Sequence, residues 1–167
     1  MEQTQKLNEL IAVLTQQEDQ LVLDSFTHDD AIAIGERVLA AGRSAELPIA
    51  IDVSAFGQTL FHAGLPGSGP DNDEWIRRKR NVVHRFQKSS YRVGRELARD
   101  GLGIDERSYV DPMDFSPHGG CFPVRLSPGG GVIGTITVSG LTQDEDHRLV
   151  VNTLAELLGR TIPDLPR

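Results

Sequence analysis

The sequence predicts an α+β fold in which helices cover an antiparallel sheet. Apolar residues recur at helical spacing in several segments, and strand patterns occur as neighbouring pairs joined by turn residues. A strict alternation of strands and helices would instead favour a parallel sheet. No linker, repeat or change in composition marks a boundary. We therefore expect residues 1–167 to form a single domain, with residues 1–18 as a peripheral N-terminal helix.

The first half of the chain predicts two helices and three strands. Apolar and polar residues alternate from Leu21 to Phe26 (LVLDSF), which indicates a strand. Thr27 followed by Asp30 three residues later is typical of a helix start. Strands at 49–54 and 59–63 would form a hairpin around Gly57. Apolar residues at helical spacing support the first helix at Leu7, Leu10, Ile11 and Leu14 and the second at Ala31, Ile34, Val38 and Ala41.

The second half predicts one long helix, an irregular loop, two more strands and a final helix. The long helix would run from about residue 73 to 100, and residues 101–120 show no consistent period. Strands are expected at 121–126 and 132–139, separated by a Ser-Pro-Gly-Gly-Gly turn. Thr142 and Glu145 form a capping box for the last helix, which Gly159 ends.

Bulk properties exclude several classes of protein. The formal charge of −7 disfavours binding to nucleic acid or to an anionic membrane surface. The chain has one cysteine, Cys121, so it cannot form an internal disulfide, and residues 1–20 lack the pattern of a signal peptide. No apolar stretch approaches the roughly 20 residues that a membrane helix needs. These observations predict a cytoplasmic protein.

The long helix carries an unusual charge pattern. Nine of the 17 Lys and Arg residues lie between Trp75 and Arg99, and the RRKR run invites a nucleic-acid interpretation. Amphipathic winding and the absence of aromatic residues on the basic face argue against that interpretation. At about 100° per residue, Lys79 falls in the middle of the apolar face, with Ser90 close to that line and Arg78 and Ser89 on its border.

A lysine directed toward apolar surroundings must be paired or solvated. Three alternatives remain open: Lys79 extends to solvent along its methylene stem, pairs with an acid such as Asp52 or one from another subunit, or lines a pocket for an anion. Glycines before the helix favour the last alternative, because free N–H groups at a helix N-terminus attract anions. Their spacing matches no phosphate or dinucleotide motif.

Histidine and acidic clusters give weaker signals. His118 is the strongest single candidate, since it precedes Gly119 and Gly120, which would let a ligand approach the backbone. The five histidines show no metal-ligand spacing, so no metal site is expected. The acids 144–146 are best explained as first-turn residues that favour the helix dipole. No catalytic motif is recognisable.

Two groups of motifs resemble the haem-degrading domain superfamily. The first is NDEWIRRKRN at 72–81, followed by Arg85-Phe86 and Lys88-Ser89-Ser90-Tyr91, which is similar to an uncharacterised branch. The second is HGGCFPV at 118–124, then VIGTITVSG at 132–140, then Asp146-His147. It resembles the wider superfamily, with its Gly-Gly-x-Pro stretch, its Gly-x-x-x-Val-Ser-Gly strand and a downstream Asp. The resemblance extends from about Leu21 to Leu158.

This resemblance implies a profilin-like fold with an antiparallel sheet of five strands flanked by helices, and a symmetric homo-oligomer. Relatives of this type include haem-binding sensors and glycolate-operon proteins, so haem is the cofactor to consider. We expect an oligomeric protein that binds a small anionic or haem-like molecule, with a haem-degrading or other oxidative enzyme and a structural adaptor as alternatives. In the adaptor, the long helix would form the subunit interface. The expected ligand-binding residues are Asn72, Trp75, Arg78, Lys79, Ser89, Ser90, His118, Gly119 and Gly120.

Overall fold

A four-stranded antiparallel sheet organises the chain in the computed structural model, which describes residues 1–166. The strands lie in the order β2-β1-β4-β3. Their bounds are β1 Ala50–Ala55, β2 Gln58–Gly64, β3 Cys121–Val124 and β4 Gly134–Ser139. The helices are α1 Glu2–Gln20, α2 His28–Ser44, α3 Pro70–Phe86, α4 Ser90–Asp100, α5 Ile104–Ser108 and α6 Gln143–Leu158.

The two faces of the sheet differ in polarity. One face is apolar and packs against α2 and α6 to form the main core, in which Ile51, Ile136 and Phe122 are fully buried. The other face lies under α3 and carries buried polar side chains. Because residues alternate between faces and the pairing is in register, these groups form a continuous layer. Its members are Asp52, Ser54, Cys121, Thr135, Thr137 and Ser139.

The prediction of an α+β fold with an antiparallel sheet is confirmed, but the prediction of five strands is wrong. Residues 21–26 bury Leu21, Leu23 and Phe26 in the core without joining the sheet. Their contact with the end of β3 is a hydrogen bond from Leu23 N–H to the Arg125 carbonyl. Pro123 lies on this edge and has no N–H to donate, so β3 cannot support a full ladder there.

The predicted long helix is also divided into two. Gln87 adopts a left-handed conformation with φ of +56°, which ends α3. Ser89 then begins α4, because its side chain accepts a hydrogen bond from the Arg92 N–H. Residues 101–120 contain the short helix α5 within an otherwise irregular segment. The capping patterns at Thr27 and Thr142 are both present as predicted.

The last turn of α1 is tied to the rest of the molecule by buried polar contacts. Glu18 is 2% exposed and accepts hydrogen bonds from the Ser89 N–H and from Arg92, both at 2.8 Å. Gln17 shares a hydrogen bond with the buried His147 at 2.8 Å. The first half of α1 is largely exposed. None of the helices within residues 1–166 has the length and apolar character that crossing a bilayer requires.

Candidate functional site

The polar layer under α3 opens at one end into a cleft of about 310 Å³, which we call the Trp75 cleft. Its walls come from the first turns of α3, the loop before β3, the end of β4 and the start of α6. This brings together segments that are far apart in sequence. The lining residues are Asn72, Trp75, Lys79, His118, Ser139, Gly140, Leu141, Gln143 and Asp146.

A buried ion pair forms the floor of the Trp75 cleft. Lys79 Nζ donates to Asp146 Oδ2 at 2.9 Å and to the Val138 carbonyl at 3.1 Å, and Lys79 is only 3% exposed. The other carboxylate oxygen of Asp146 accepts the Leu141 N–H at 3.0 Å. Burial raises the pKa of Asp146, while Lys79 and the backbone N–H groups act in the opposite direction. The floor is thus polar, with its two charges compensated.

This geometry resolves part of the question about Lys79. Extension to solvent is wrong, because the side chain is buried. Pairing with a carboxylate is correct, but the acid is Asp146 of the same chain, and neither Asp52 nor another subunit provides it. Asp52 instead pairs with Arg80 at 3.3 Å. Because Lys79 also lines the Trp75 cleft, the pocket alternative remains a proposal.

Two aromatic rings form one wall. The indole of Trp75 and the imidazole of His118 meet nearly edge to face, with ring centroids 5.3 Å apart at an angle of 79°. Trp75 Nε1 donates to Asp71 at 3.1 Å, and the Arg78 guanidinium lies 4.9 Å from the indole centroid. Both contacts orient the indole. The wall therefore offers a flat aromatic surface in a defined orientation.

His118 is held in a defined orientation and favours its neutral form. Its Nδ1 atom lies 2.8 Å from Ser116 Oγ. Partial burial lowers the pKa of His118, and the cations Lys79, Arg95 and Arg78 lower it further. The neutral ring has one donor and one acceptor nitrogen. When Nδ1 donates to Ser116, Nε2 retains its lone pair.

The two glycines after His118 are required by close packing. A Cβ at Gly119 would lie 1.9 Å from the Gln143 carbonyl oxygen. Gly120 has φ of +127°, and a Cβ there would lie 2.3 Å from the Val138 oxygen and 2.7 Å from Lys79 Nζ. They let the loop approach the ion pair, so in this structure the space beside them is filled by protein atoms.

The comparisons with known proteins identify the family. Residues 26–155 match the family described as "Haem degrading protein HbpS-like". The chain belongs to this family. A UPF0303 protein of Streptomyces coelicolor is 50% identical over 149 residues, which cover 89% of this chain and 94% of that protein. A UPF0303 protein of Serratia proteamaculans is 45% identical over 92% of this chain and 94% of that protein. The resemblance seen in the sequence is thereby confirmed.

Solved structures agree with the fold of this HbpS-like chain. The crystal structure of the Ybr137w protein superposes with a TM-score of 0.83 at 31% identity, covering 89% of this chain and 87% of that one. HbpS itself superposes with a TM-score of 0.62 at 20% identity, over 81% of this chain and 91% of that one. The PduOC:haem complex superposes with a TM-score of 0.63 at 13% identity, covering 78% of this chain and 94% of that one. The last two likenesses concern the fold alone.

The predicted site residues divide into three groups. Asn72, Trp75, Lys79 and His118 line the Trp75 cleft, and Gly119 and Gly120 support it from behind. Ser89 and Ser90 are fully buried elsewhere: Ser89 caps α4, and Ser90 Oγ accepts the Cys121 N–H at 3.1 Å. Arg78 is not among the lining residues and covers the indole from outside, with Nη2 bound to the Pro112 carbonyl at 2.8 Å.

Sequence reasoning missed the contribution of α6 and of the end of β4. The sequence predicts that Asp146 acts as a first-turn acid of α6, yet it is the partner of Lys79. Gln143 lines the cleft, and its side-chain oxygen is buried without a hydrogen-bond partner within residues 1–166. The available signal was the Asp146-His147 motif of the resemblance, which marked this turn without giving its role. Across the same residues, no group of three or more His, Cys, Asp or Glu is placed to hold a metal ion.

Proposed function

We propose that this HbpS-like protein binds a small anionic or haem-like molecule in the Trp75 cleft. The observation that carries the proposal is the pairing of an aromatic wall, Trp75 and His118, with a polar floor whose charges are already compensated. Ligand sites are typically concave, with apolar walls and a few fixed polar groups. The cleft has the volume of a small ligand site.

Several features favour a ligand with negative charge. Burial lowers the pKa of His118, and the cations Lys79, Arg95 and Arg78 lower it further. Because Asp146 compensates Lys79, Arg95 and Arg78 are the cations that favour an anion near this ring. The first turns of α3 and α6 both reach the cleft, and helix N-termini favour anions. The acids of these turns oppose this effect, so we expect moderate affinity for simple anions.

The haem-like part of the proposal rests on the aromatic wall and on the family. A porphyrin has a flat apolar body with carboxylates at one edge, which suits Trp75 and the neighbouring cations. The neutral His118 ring, fixed through Ser116, has the nitrogen lone pair that iron ligation requires. The family description names haem degradation, and the PduOC relative in fold was solved with haem. Bound haem would supply redox chemistry, while this chain would orient and shield it.

The test is a titration with haemin and with metal-free protoporphyrin IX. We expect a shift of the haemin Soret band, and both Trp75→Ala and His118→Ala should weaken haemin binding by at least about tenfold, or 1.4 kcal/mol. His118→Ala should affect protoporphyrin less, since that ligand has no iron. His28→Ala, at an exposed position outside the cleft, is the matched control. If neither porphyrin binds, and phosphate and citrate leave the melting temperature unchanged, the proposal is wrong.

An oxidative enzyme is the second candidate, and the family description favours it. It requires haem binding and one further observation. After the Soret complex forms, peroxide or a reductant with oxygen should bleach the band faster than it bleaches free haemin. Bleaching at the rate of free haemin would restrict the function to binding.

We also propose that the protein forms a homo-oligomer. Lys79 cannot provide the predicted contact between subunits, because its partner lies in its own chain. Large apolar side chains are instead exposed in the segment after α4, where Tyr109 is 95% and Met113 75% exposed. Light scattering should give a mass above the 18.3 kDa of one chain, and Tyr109→Ser/Met113→Ser should lower it. A monomeric wild-type protein would contradict this part.

A further inference from the structure

A second cleft, of about 320 Å³, lies between the turn that joins β1 to β2 and the middle of α3. We call it the hairpin cleft. It shares no lining residue with the Trp75 cleft, and it adjoins the opposite end of the polar layer. Its main lining residues are Ser54, Phe56, Thr59, Arg80, His84 and Ile133.

Arg80 presents an oriented and partly unused guanidinium to this cleft. Nη1 donates to Ser54 Oγ at 2.9 Å and to Asp52 Oδ1 at 3.3 Å, and the Asp52 side chain is 5% exposed. Nε and Nη2 have no hydrogen-bond partner within residues 1–166 and remain accessible to solvent. A guanidinium held at one terminal nitrogen leaves its other N–H groups available to a carboxylate or phosphate.

Phe56 is an unusual residue for its position. Phe56 and Gly57 form the two-residue turn with φ of +55° and +77°, the type I′ geometry in which Asn-Gly is preferred. A left-handed phenylalanine costs on the order of 1 kcal/mol. Its ring stacks on His28 with centroids 5.3 Å apart, yet the residue is 54% exposed. The chain therefore keeps a large apolar side chain at the mouth of the cleft despite backbone strain.

We propose that the hairpin cleft is a second ligand site, for a small molecule that joins an oxyanion, carboxylate or phosphate, to an aromatic or branched apolar group. The free N–H groups of Arg80 bind the oxyanion, and the hydroxyl of Thr59 lies beside it, whereas the Ser54 hydroxyl already donates to Asp52 at 2.6 Å. Phe56 and Ile133 pack against the apolar group. The Asp52 carboxylate, buried behind Arg80, maintains the orientation of the guanidinium.

The first test uses three probes: phenylacetate, phenyl phosphate and the uncharged phenylacetamide. In ¹⁵N-resolved NMR spectra we expect saturable shifts of the Arg80 Nε–H and the Gly57 amide with at least one of the two oxyanions. Phenylacetamide should bind at least about tenfold more weakly, because it lacks the charge-assisted hydrogen bonds. Whichever of phenylacetate and phenyl phosphate binds more tightly shows whether the site prefers a carboxylate or a phosphate. If neither oxyanion shifts these signals, the proposal is wrong.

Variants separate this site from the Trp75 cleft. Phe56→Asn suits the left-handed turn and retains the hairpin. It should weaken binding of the preferred oxyanion ligand at least about fivefold, because the aromatic contact is lost. Arg80→Lys retains the positive charge but loses the planar array of N–H donors, so it should also weaken binding of this ligand. Trp75→Ala should leave the affinity unchanged. Wild-type affinity in Phe56→Asn, or a loss in Trp75→Ala, would overturn the assignment.

Discussion

Lys79 Nζ lies 2.9 Å from Asp146 Oδ2, and both residues are buried, with exposures of 3% and 2%. The pair connects α3 to the first turn of α6, across the end of β4. Removal of one partner leaves an uncompensated charge in a nearly dry environment. The pair therefore forms the floor of the Trp75 cleft and also contributes to the free energy of unfolding of the protein.

Loss of either partner should destabilise the fold strongly. Lys79→Met and Asp146→Asn are each expected to lower the free energy of unfolding by about 3–5 kcal/mol, as found for other buried pairs. The double variant should lose less than the sum, with a coupling energy above about 1 kcal/mol. Urea unfolding measures all four species. The exposed pair Lys6–Glu2 is the control, for which about 0.5 kcal/mol is expected. Additive losses at Lys79 and Asp146 would contradict the pairing.

Gly120 should tolerate no side chain. In Gly120→Ala, the new Cβ would meet the Val138 oxygen and Lys79 Nζ at a φ of +127°. We expect a loss of stability of more than about 2 kcal/mol, from strain and from displacement of the lysine. Gly131 has open space around it, so Gly131→Ala should change stability by less than about 0.5 kcal/mol. Equal melting temperatures for the two variants would show that the loop does not approach the ion pair as described.

His147 should make stability depend on pH. Burial lowers its pKa from 6.5 to about 3, so between these pH values the unfolded chain binds a proton that the folded chain does not. Stability should therefore fall as the pH falls through this window, by at most about 1.4 kcal/mol per unit. The raised pKa of Asp146 acts in the opposite direction in acid, so the comparison is between variants.

The measurement is urea unfolding at several pH values between about 3.5 and 7, which cover most of the range between the folded pKa of about 3 and the ordinary value of 6.5. His147→Gln should be less stable near neutrality, because the ring packs on Tyr91 and Phe122, but should show a flatter pH dependence. His28→Gln, at an exposed position, should retain the wild-type slope. An unchanged slope in His147→Gln would mean that another group causes the dependence.

Glu18 should determine how firmly α1 is attached. Its carboxylate accepts the Ser89 N–H and binds Arg92, so Glu18→Gln is expected to cost about 2–4 kcal/mol in urea unfolding. Glu9→Gln, on the exposed part of the same helix, should cost less than about 0.5 kcal/mol. The predicted peripheral role of residues 1–18 remains open to the same experiment. A negligible effect of Glu18→Gln would support it.

Local patterns predicted what lies within one element. Helical winding placed Lys79 on the buried face correctly, because that position depends only on the geometry of α3. Its partner lies 67 residues away, and the choice between Asp52 and Asp146 depends on how α3 crosses the sheet. The adjacent Arg80 reaches Asp52 instead. Nothing in the sequence distinguishes these two pairings.

Breaks and edges were harder to predict. Gln87 is neither Gly nor Pro, so its left-handed conformation carries no compositional signal, and the winding that placed Ser90 near Lys79 assumed a continuous helix. Leu21, Leu23 and Phe26 are buried as their pattern suggests, but strand formation also needs a neighbouring edge with free donors and acceptors. Pro123 removes one donor from that edge.

The central claim, that the Trp75 cleft binds a small anionic or haem-like molecule, can be tested through Trp75 itself. It is the sole tryptophan of the chain, so its emission reports haemin bound to this protein, and the His118→Ala variant shows whether that haemin lies in this cleft. A haemin titration should quench the emission along a saturable curve, and His118→Ala should move the midpoint to higher haemin concentration. Quenching that follows the unsaturated course of N-acetyltryptophanamide, in wild type and variant alike, would contradict the claim.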